Sequence, residues 1–207
     1  MNSTTPNKLR QRLLELPFDA YLKLLALLLT RLGYQDVQLA GRTDWKGRNR
    51  NGGVDLTATR GGGLSPHRVV IQAKQFDLDS RIFQRQADEL RGAAIRSGAA
   101  EAILITTGPL SGSIDLEGLS LPLAPVRLIG GDELLDLLTR HRVGITPAGE
   151  IDEALLSRLE QEATGNRPSD CSGASILVTV DVQRLNKGIR AHKALRSTTG
   201  RAVHRIV

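Results

Sequence analysis

The chain has 207 residues, of which 40% are hydrophobic, which is enough for the core of one ordinary domain with a segment appended and too many for a disordered chain. Its longest apolar run near the N-terminus, Leu24 to Leu29 between Lys23 and Arg31, is far too short to span a membrane, and no signal-peptide pattern precedes it. The net charge of +6 is concentrated: residues 164–207 hold eight Lys/Arg against two acids, so the rest of the chain is neutral and the basic character belongs to the tail. Such a tail attracts polyanions, nucleic acid first, or is merely solvated. The single cysteine, Cys171, excludes an internal disulfide, and no Cys/His spacing matches a zinc site; a reducing cytoplasm is the expected compartment.

In chain order, residues 8–32 read as helix broken or kinked at Pro17, with Phe18, Leu22, Leu25 and Leu29 at the spacing of a buried face and Gly33 as the stop. "DVQLA" (36–40) alternates like a strand. "GRTDWKGRNRNGG" (41–53) is a basic, glycine-rich loop whose Lys46, Arg48 and Arg50 either track a DNA backbone or decorate a mobile surface.

A hairpin follows. Val54, Leu56 and Ala58 alternate with Asp55, Thr57 and Thr59; after the turn "GGGLSPH", Val69, Ile71 and Ala73 alternate with Val70, Gln72 and Lys74. The apolar rows form one core surface, and Asp55 joins Gln72 and Lys74 on the other side if the register pairs it with 72 or 74; a slip of one residue puts it on the wrong face.

Residues 79–98 are predicted to be a helix, with Asp77 and Asp79 at its start and Gly98 at its end. Arg81, Arg85, Gln86 and Arg91 on it either touch phosphates or form a solvated face. "AEAILITTG" (100–108) is a buried strand, 109–125 is irregular, "VRLIG" (126–130) is a strand, and 132–141 and 150–163 are helices. A linker, 164–173, leads to a further candidate strand, 174–182, in the basic tail. This order describes an α/β domain with a mixed central β-sheet flanked by helices.

If the register holds, the Asp55 carboxylate, the Gln72 amide oxygen and the Ala73 carbonyl make a sparse oxygen site for a hard cation such as Mg²⁺, which keeps several waters and completes its shell with phosphate oxygens. Lys74 would lie beside such a site, placed to orient a water and to stabilise charge on a phosphate. These are the components of phosphodiester hydrolysis. The plainer alternative makes Lys74 a surface lysine and Asp55 a cap for the Gly52–Gly53 turn.

Other chemistries find no support. The four histidines are scattered, the serine-hydrolase elbow is missing, and "GGG" at 61–63 lacks the lysine and helix of a P-loop. Aromatics at 3% are too few for stacking single-stranded bases, so duplex binding through phosphates fits better.

The ordered set "LPFDAYLKLLALLLTRLGYQDVQLAGRT", "NGGVDLTA", "VVIQAKQF", "ELRGA", "AILITTG", "VRLIGGDELLDLL" and "VGI" resembles the catalytic domain of the Mrr-type restriction endonucleases, within the PD-(D/E)XK nuclease superfamily. The resemblance runs from about Pro17 to Ile145. It implies a restriction-endonuclease-like core over 17–145, preceded by a helical extension (1–16) and followed by a C-terminal helix (146–163) and a basic, partly disordered tail (164–207). It further implies a Mg²⁺-dependent endonuclease of restriction or defence acting on duplex DNA, in some relatives triggered by modified bases, and commonly working as a homodimer. Asp55, Gln72 and Lys74 match the family's catalytic set. Asp19 matches the supporting acidic position, one methylene shorter than the family's usual Glu and so reaching a metal through water. A nuclease-fold DNA-binding module with little catalysis is the alternative function.

Overall fold

The computed structural model describes residues 4–40, 53–61 and 66–164. The basic loop with Lys46, Arg48 and Arg50, the tip of the hairpin, and the tail with its candidate strand lie outside the described residues.

Helix α1 (Thr4–Glu15) and helix α2 (Phe18–Arg31) are separated at Pro17, which has no N–H to continue the first ladder and whose fixed φ suits a helix start. Then come β1 (Gln35–Leu39), β2 (Leu56–Arg60), β3 (His67–Lys74), α3 (Gln84–Arg96), β4 (Glu101–Thr106), the short α4 (Leu116–Leu119), β5 (Val126–Ile129), α5 (Gly131–His141) and α6 (Glu153–Thr164). The five strands lie in sequence order, β1-β2-β3-β4-β5. β1, β2 and β3 pair antiparallel, whereas β3, β4 and β5 run parallel, each parallel step bridged by a crossover on one face. The sheet is mixed and flanked by helices, as the sequence predicts.

Two cores cover the sheet. On one face Leu56, Ala58, Val69, Ile71 and Ala73 pack with the leucines of α1, α2, α5 and α6. Helix α2 lies in the middle of this layer, and every residue from Ala20 to Leu29 is buried. An all-round apolar sequence such as "LLALLL" suits a helix enclosed on all sides. Its lysine, Lys23, is buried too, and its amine meets Glu162 of α6 at 3.6 Å.

The other face is covered by α3, through Ala87, Leu90, Ala93 and Ala94, and by the irregular segment after β4, through Leu119 and Ala124. Here the hairpin departs from expectation. Val70 does not belong to a polar face: it is buried in this second core together with Val54. Strand β2 begins only at Leu56, because Gly53, at φ +87°, turns the chain just before it, and Val54 therefore falls out of the alternation with Leu56 and Ala58.

The start of α3 also differs. The helix begins at Gln84, not near 79. Asp77 is a turn residue: its carboxylate accepts the N–H groups of Asp79 (3.2 Å) and Ser80 (2.8 Å), and the Ser80 bonds hold its pKa below the usual carboxylate range. The chain then stays extended through Ile82, which makes a parallel bridge with Leu110.

Candidate active site

The hairpin register pairs Leu56 with Ile71 and Thr57 with Val70, which carries Asp55 to the level of Gln72. The N–H of Asp55 bonds the Ile71 carbonyl at 2.9 Å, and Asp55 Oδ2 accepts the Ala73 N–H, also at 2.9 Å. The carboxylate is therefore turned across the hairpin onto β3, and Asp55 as a whole is only 8% exposed.

Gln72 and Lys74 follow Val70 along the α3 side of β3 and are half-buried. Asp55, Gln72, Ala73 and Lys74 converge on one open cleft of ≈ 420 Å³, whose wall is completed by Phe18, Gly53, Gln75 and Phe76. Gly53 takes φ +87°, a conformation strained for any residue with a Cβ, and a Cβ on it would also stand 2.4 Å from the Gln72 amide nitrogen and push that side chain aside.

Among the described residues no three His, Cys, Asp or Glu side chains gather as a metal cluster. The available donors are mixed: one carboxylate (Asp55), one amide oxygen (Gln72) and one backbone carbonyl (Ala73). That set suits a hard cation retaining most of its waters and does not suit a thiolate- or imidazole-seeking metal.

Asp19 stands exposed in the first turn of α2, beside Phe18 but outside the lining of the cleft. Arg81 is exposed on the turn before α3. Arg85 is exposed on α3, paired with Glu89 at 2.8 Å. Arg91 points inward instead, donating to the Gly118 carbonyl at 2.6 Å and so tying the irregular segment to α3.

Several residues that build the cleft escape a reading of the sequence. Thr107 is buried, and its hydroxyl donates to the Phe76 carbonyl (2.7 Å) and accepts the Phe76 N–H (2.8 Å), closing the chain just past Lys74. Arg10 of α1 donates to the Thr107 carbonyl at 2.6 Å and pairs with Asp132. Tyr21 is fully buried under the site with no hydrogen-bond partner for its hydroxyl; burial first, and the charge of Asp55 second, push its pKa far above the usual phenol range. Gln75 donates through Nε2 to the carbonyls of Leu13 (2.8 Å) and Leu16 (3.0 Å). Only "TTG" and "QAKQF" hinted at Thr107 and Gln75, since their partners are distant in the chain.

An open cleft at the end of the middle strand of a mixed sheet, with a carboxylate, an amide and a lysine on adjacent strands, defines a restriction-endonuclease-like α/β fold. Two solved structures share it. The DNA modification-dependent restriction endonuclease AspBHI matches with a TM-score of 0.55 and 17% identity over 78% of this chain. The MspJI restriction endonuclease, in complex with a 27-mer oligonucleotide, matches with a TM-score of 0.56 and 22% identity over 78% of this chain. This chain covers only 41% and 36% of those two chains. No curated protein sequence matches. The family model of the Mrr catalytic domain, a restriction endonuclease, matches residues 14–138, and the chain belongs to that family.

Proposed function

We propose that the chain is a Mg²⁺-dependent endonuclease that hydrolyses phosphodiester bonds of duplex DNA, in the restriction of foreign or modified DNA. The observation that carries the reading is the convergence of Asp55, Gln72, Ala73 and Lys74 on one open cleft. Family membership supports DNA as the substrate class. The oligonucleotide bound to MspJI supports a nucleic-acid partner, and the modification dependence of AspBHI supports a modified base, as features to test.

In this reading Asp55, Gln72 and the Ala73 carbonyl hold the metal. Bound there, Mg²⁺ supplies Lewis acidity toward a phosphate oxygen and lowers the pKa of a water. Asp55 contributes the one full negative charge, fixed in direction by the Ala73 N–H. Gln72 adds an oxygen without adding charge, so the site stays attractive to an incoming phosphate. Lys74 offers an ammonium to a phosphate oxygen and orients the attacking water. Asp19 supports from the rim through water. Lys46, Arg48 and Arg50 of the basic loop, with Arg81 before α3 and Arg85 on it, contact the DNA backbone, and a homodimer cuts both strands. Among the described residues no helix is long and apolar enough to cross a membrane.

Supercoiled plasmid, unmodified and carrying methylated cytosine or adenine, tests the reading with pure full-length protein. Nicked or linear product that requires Mg²⁺ and is abolished by EDTA is expected. DNA that is retarded on a gel but never cut, whatever its modification, would favour a binding module instead.

A further inference from the structure

The wall of the cleft opposite β3 is the elbow between α1 and α2, and its construction leaves a gap that another part of the chain fills. In an unbroken helix the N–H of residue 17 bonds the carbonyl of residue 13. Residue 17 is proline, so the Leu13 carbonyl loses its donor. The ladder of α2 begins one residue past Leu16, with the Tyr21 N–H on the Pro17 carbonyl at 3.0 Å. Two carbonyls at a half-buried elbow thus need donors from elsewhere.

Gln75 supplies both. Its Nε2 reaches Leu13 O at 2.8 Å and Leu16 O at 3.0 Å, across 62 and 59 positions of sequence. Both amide protons are used, which fixes the orientation of the side chain. Gln75 follows Lys74 directly and lines the same cleft as Phe18. The neighbouring groups of the elbow are those of the first turn of α2: Phe18 on the cleft wall, Asp19 at its rim, and Tyr21 beneath, close enough for the Asp55 charge to act on it.

We propose that Gln75 is a positioning residue: its amide replaces the donor that Pro17 removes, and so fixes the first turn of α2 against the strand that carries Lys74. The inference rests on the endonuclease reading for its catalytic consequence but not for its structural one. Arg10 anchors α1 to the Thr107 carbonyl independently, so loss of the Gln75 bonds frees the elbow without releasing the helix.

Gln75→Met keeps the length and removes the donors; Leu155→Ala, on α6 in the leucine-side core, is the control for general destabilisation. Amide exchange of Tyr21 and Leu22, the Mg²⁺ midpoint for cleavage, kcat and KM are measured on full-length protein. For Gln75→Met, exchange at Tyr21 and Leu22 is expected to quicken at least 10-fold and kcat to fall at least 10-fold, with KM for DNA within 3-fold and a raised Mg²⁺ midpoint. Leu155→Ala is expected to lower Tm as much or more while leaving the Mg²⁺ midpoint in place. Unchanged exchange at Tyr21 and Leu22 in Gln75→Met would overturn the proposal, as would a kcat loss no larger than that of Leu155→Ala. If wild-type protein cuts no DNA, the endonuclease reading fails, and the exchange measurement still decides whether Gln75 holds the elbow.

Discussion

The two faces of the sheet are built from different side chains. One carries a thick leucine layer, in which α2 is enclosed by α1, α5 and α6. The other carries a thin layer in which α3 approaches through three alanines and one leucine. Strand β3 serves both layers by alternation, and the difference persists to its end. Ala73 and Gln75 continue the leucine-side row and are tied to the scaffold, Ala73 through Asp55 and Gln75 through the elbow. Gln72 and Lys74 continue the alanine-side row, half-buried, and meet the cleft. All four residues line the cleft, two of them tied to the scaffold by hydrogen bonds and two presenting half-buried polar side chains.

Breaking the link between the faces has the largest effect. Asp55→Ala removes both the proposed ligand and the acceptor of the Ala73 N–H. Plasmid cleavage is expected to fall about 10³-fold or more, and urea unfolding to show a cost of about 1–3 kcal/mol for the orphaned buried amide. Next comes the leucine layer. Leu28 is fully buried in α2, and Leu28→Ala is expected to cost about 3–5 kcal/mol in the same unfolding assay, because enclosed helices cannot collapse into the cavity. On the thin face the sign of the volume change is reversed: Ala94→Leu, at a position with no exposed surface, is expected to cost about 1–3 kcal/mol by overpacking α3 against β4. Equal tolerance of Leu28→Ala and Ala94→Leu would contradict the contrast between the layers. The smallest effect belongs to the exposed Arg85–Glu89 pair, where Arg85→Ala is expected to change stability by less than about 0.5 kcal/mol and to weaken duplex binding modestly, most visibly at low salt.

The sequence made the strands, the proline break and most helices legible because each has a local signature: alternation in "VVIQAK", an unbroken apolar run in "AILIT", leucine spacing after Pro17. The grouping of Asp55, Gln72 and Lys74 was legible too, but only conditionally, since the long turn does not set the register; the ladder from Leu56–Ile71 to Arg60–His67 shows it, and the Asp55 bonds to Ile71 and Ala73 continue it. The start of α3 was misplaced because an aspartate that closes a turn and one that caps a helix use the same carboxylate-to-N–H bond. The second core under Val70 was hidden because a polar-apolar alternation does not reveal that another helix covers the mixed face. Gln75, Thr107 and Arg10 were beyond reach for a different reason. Their partners are carbonyls or side chains far along the chain, and no residue type announces an orphaned carbonyl.

Lys74→Ala bears most directly on the central claim that the end of β3 is a catalytic centre. Wild type and variant should be compared for Mg²⁺-dependent cleavage of supercoiled plasmid at protein concentrations where a gel shift shows equal DNA occupancy. Equal binding with cleavage reduced about 10²-fold or more is predicted. Equal binding with unchanged cleavage would contradict the account and leave Lys74 a surface lysine at a strand end.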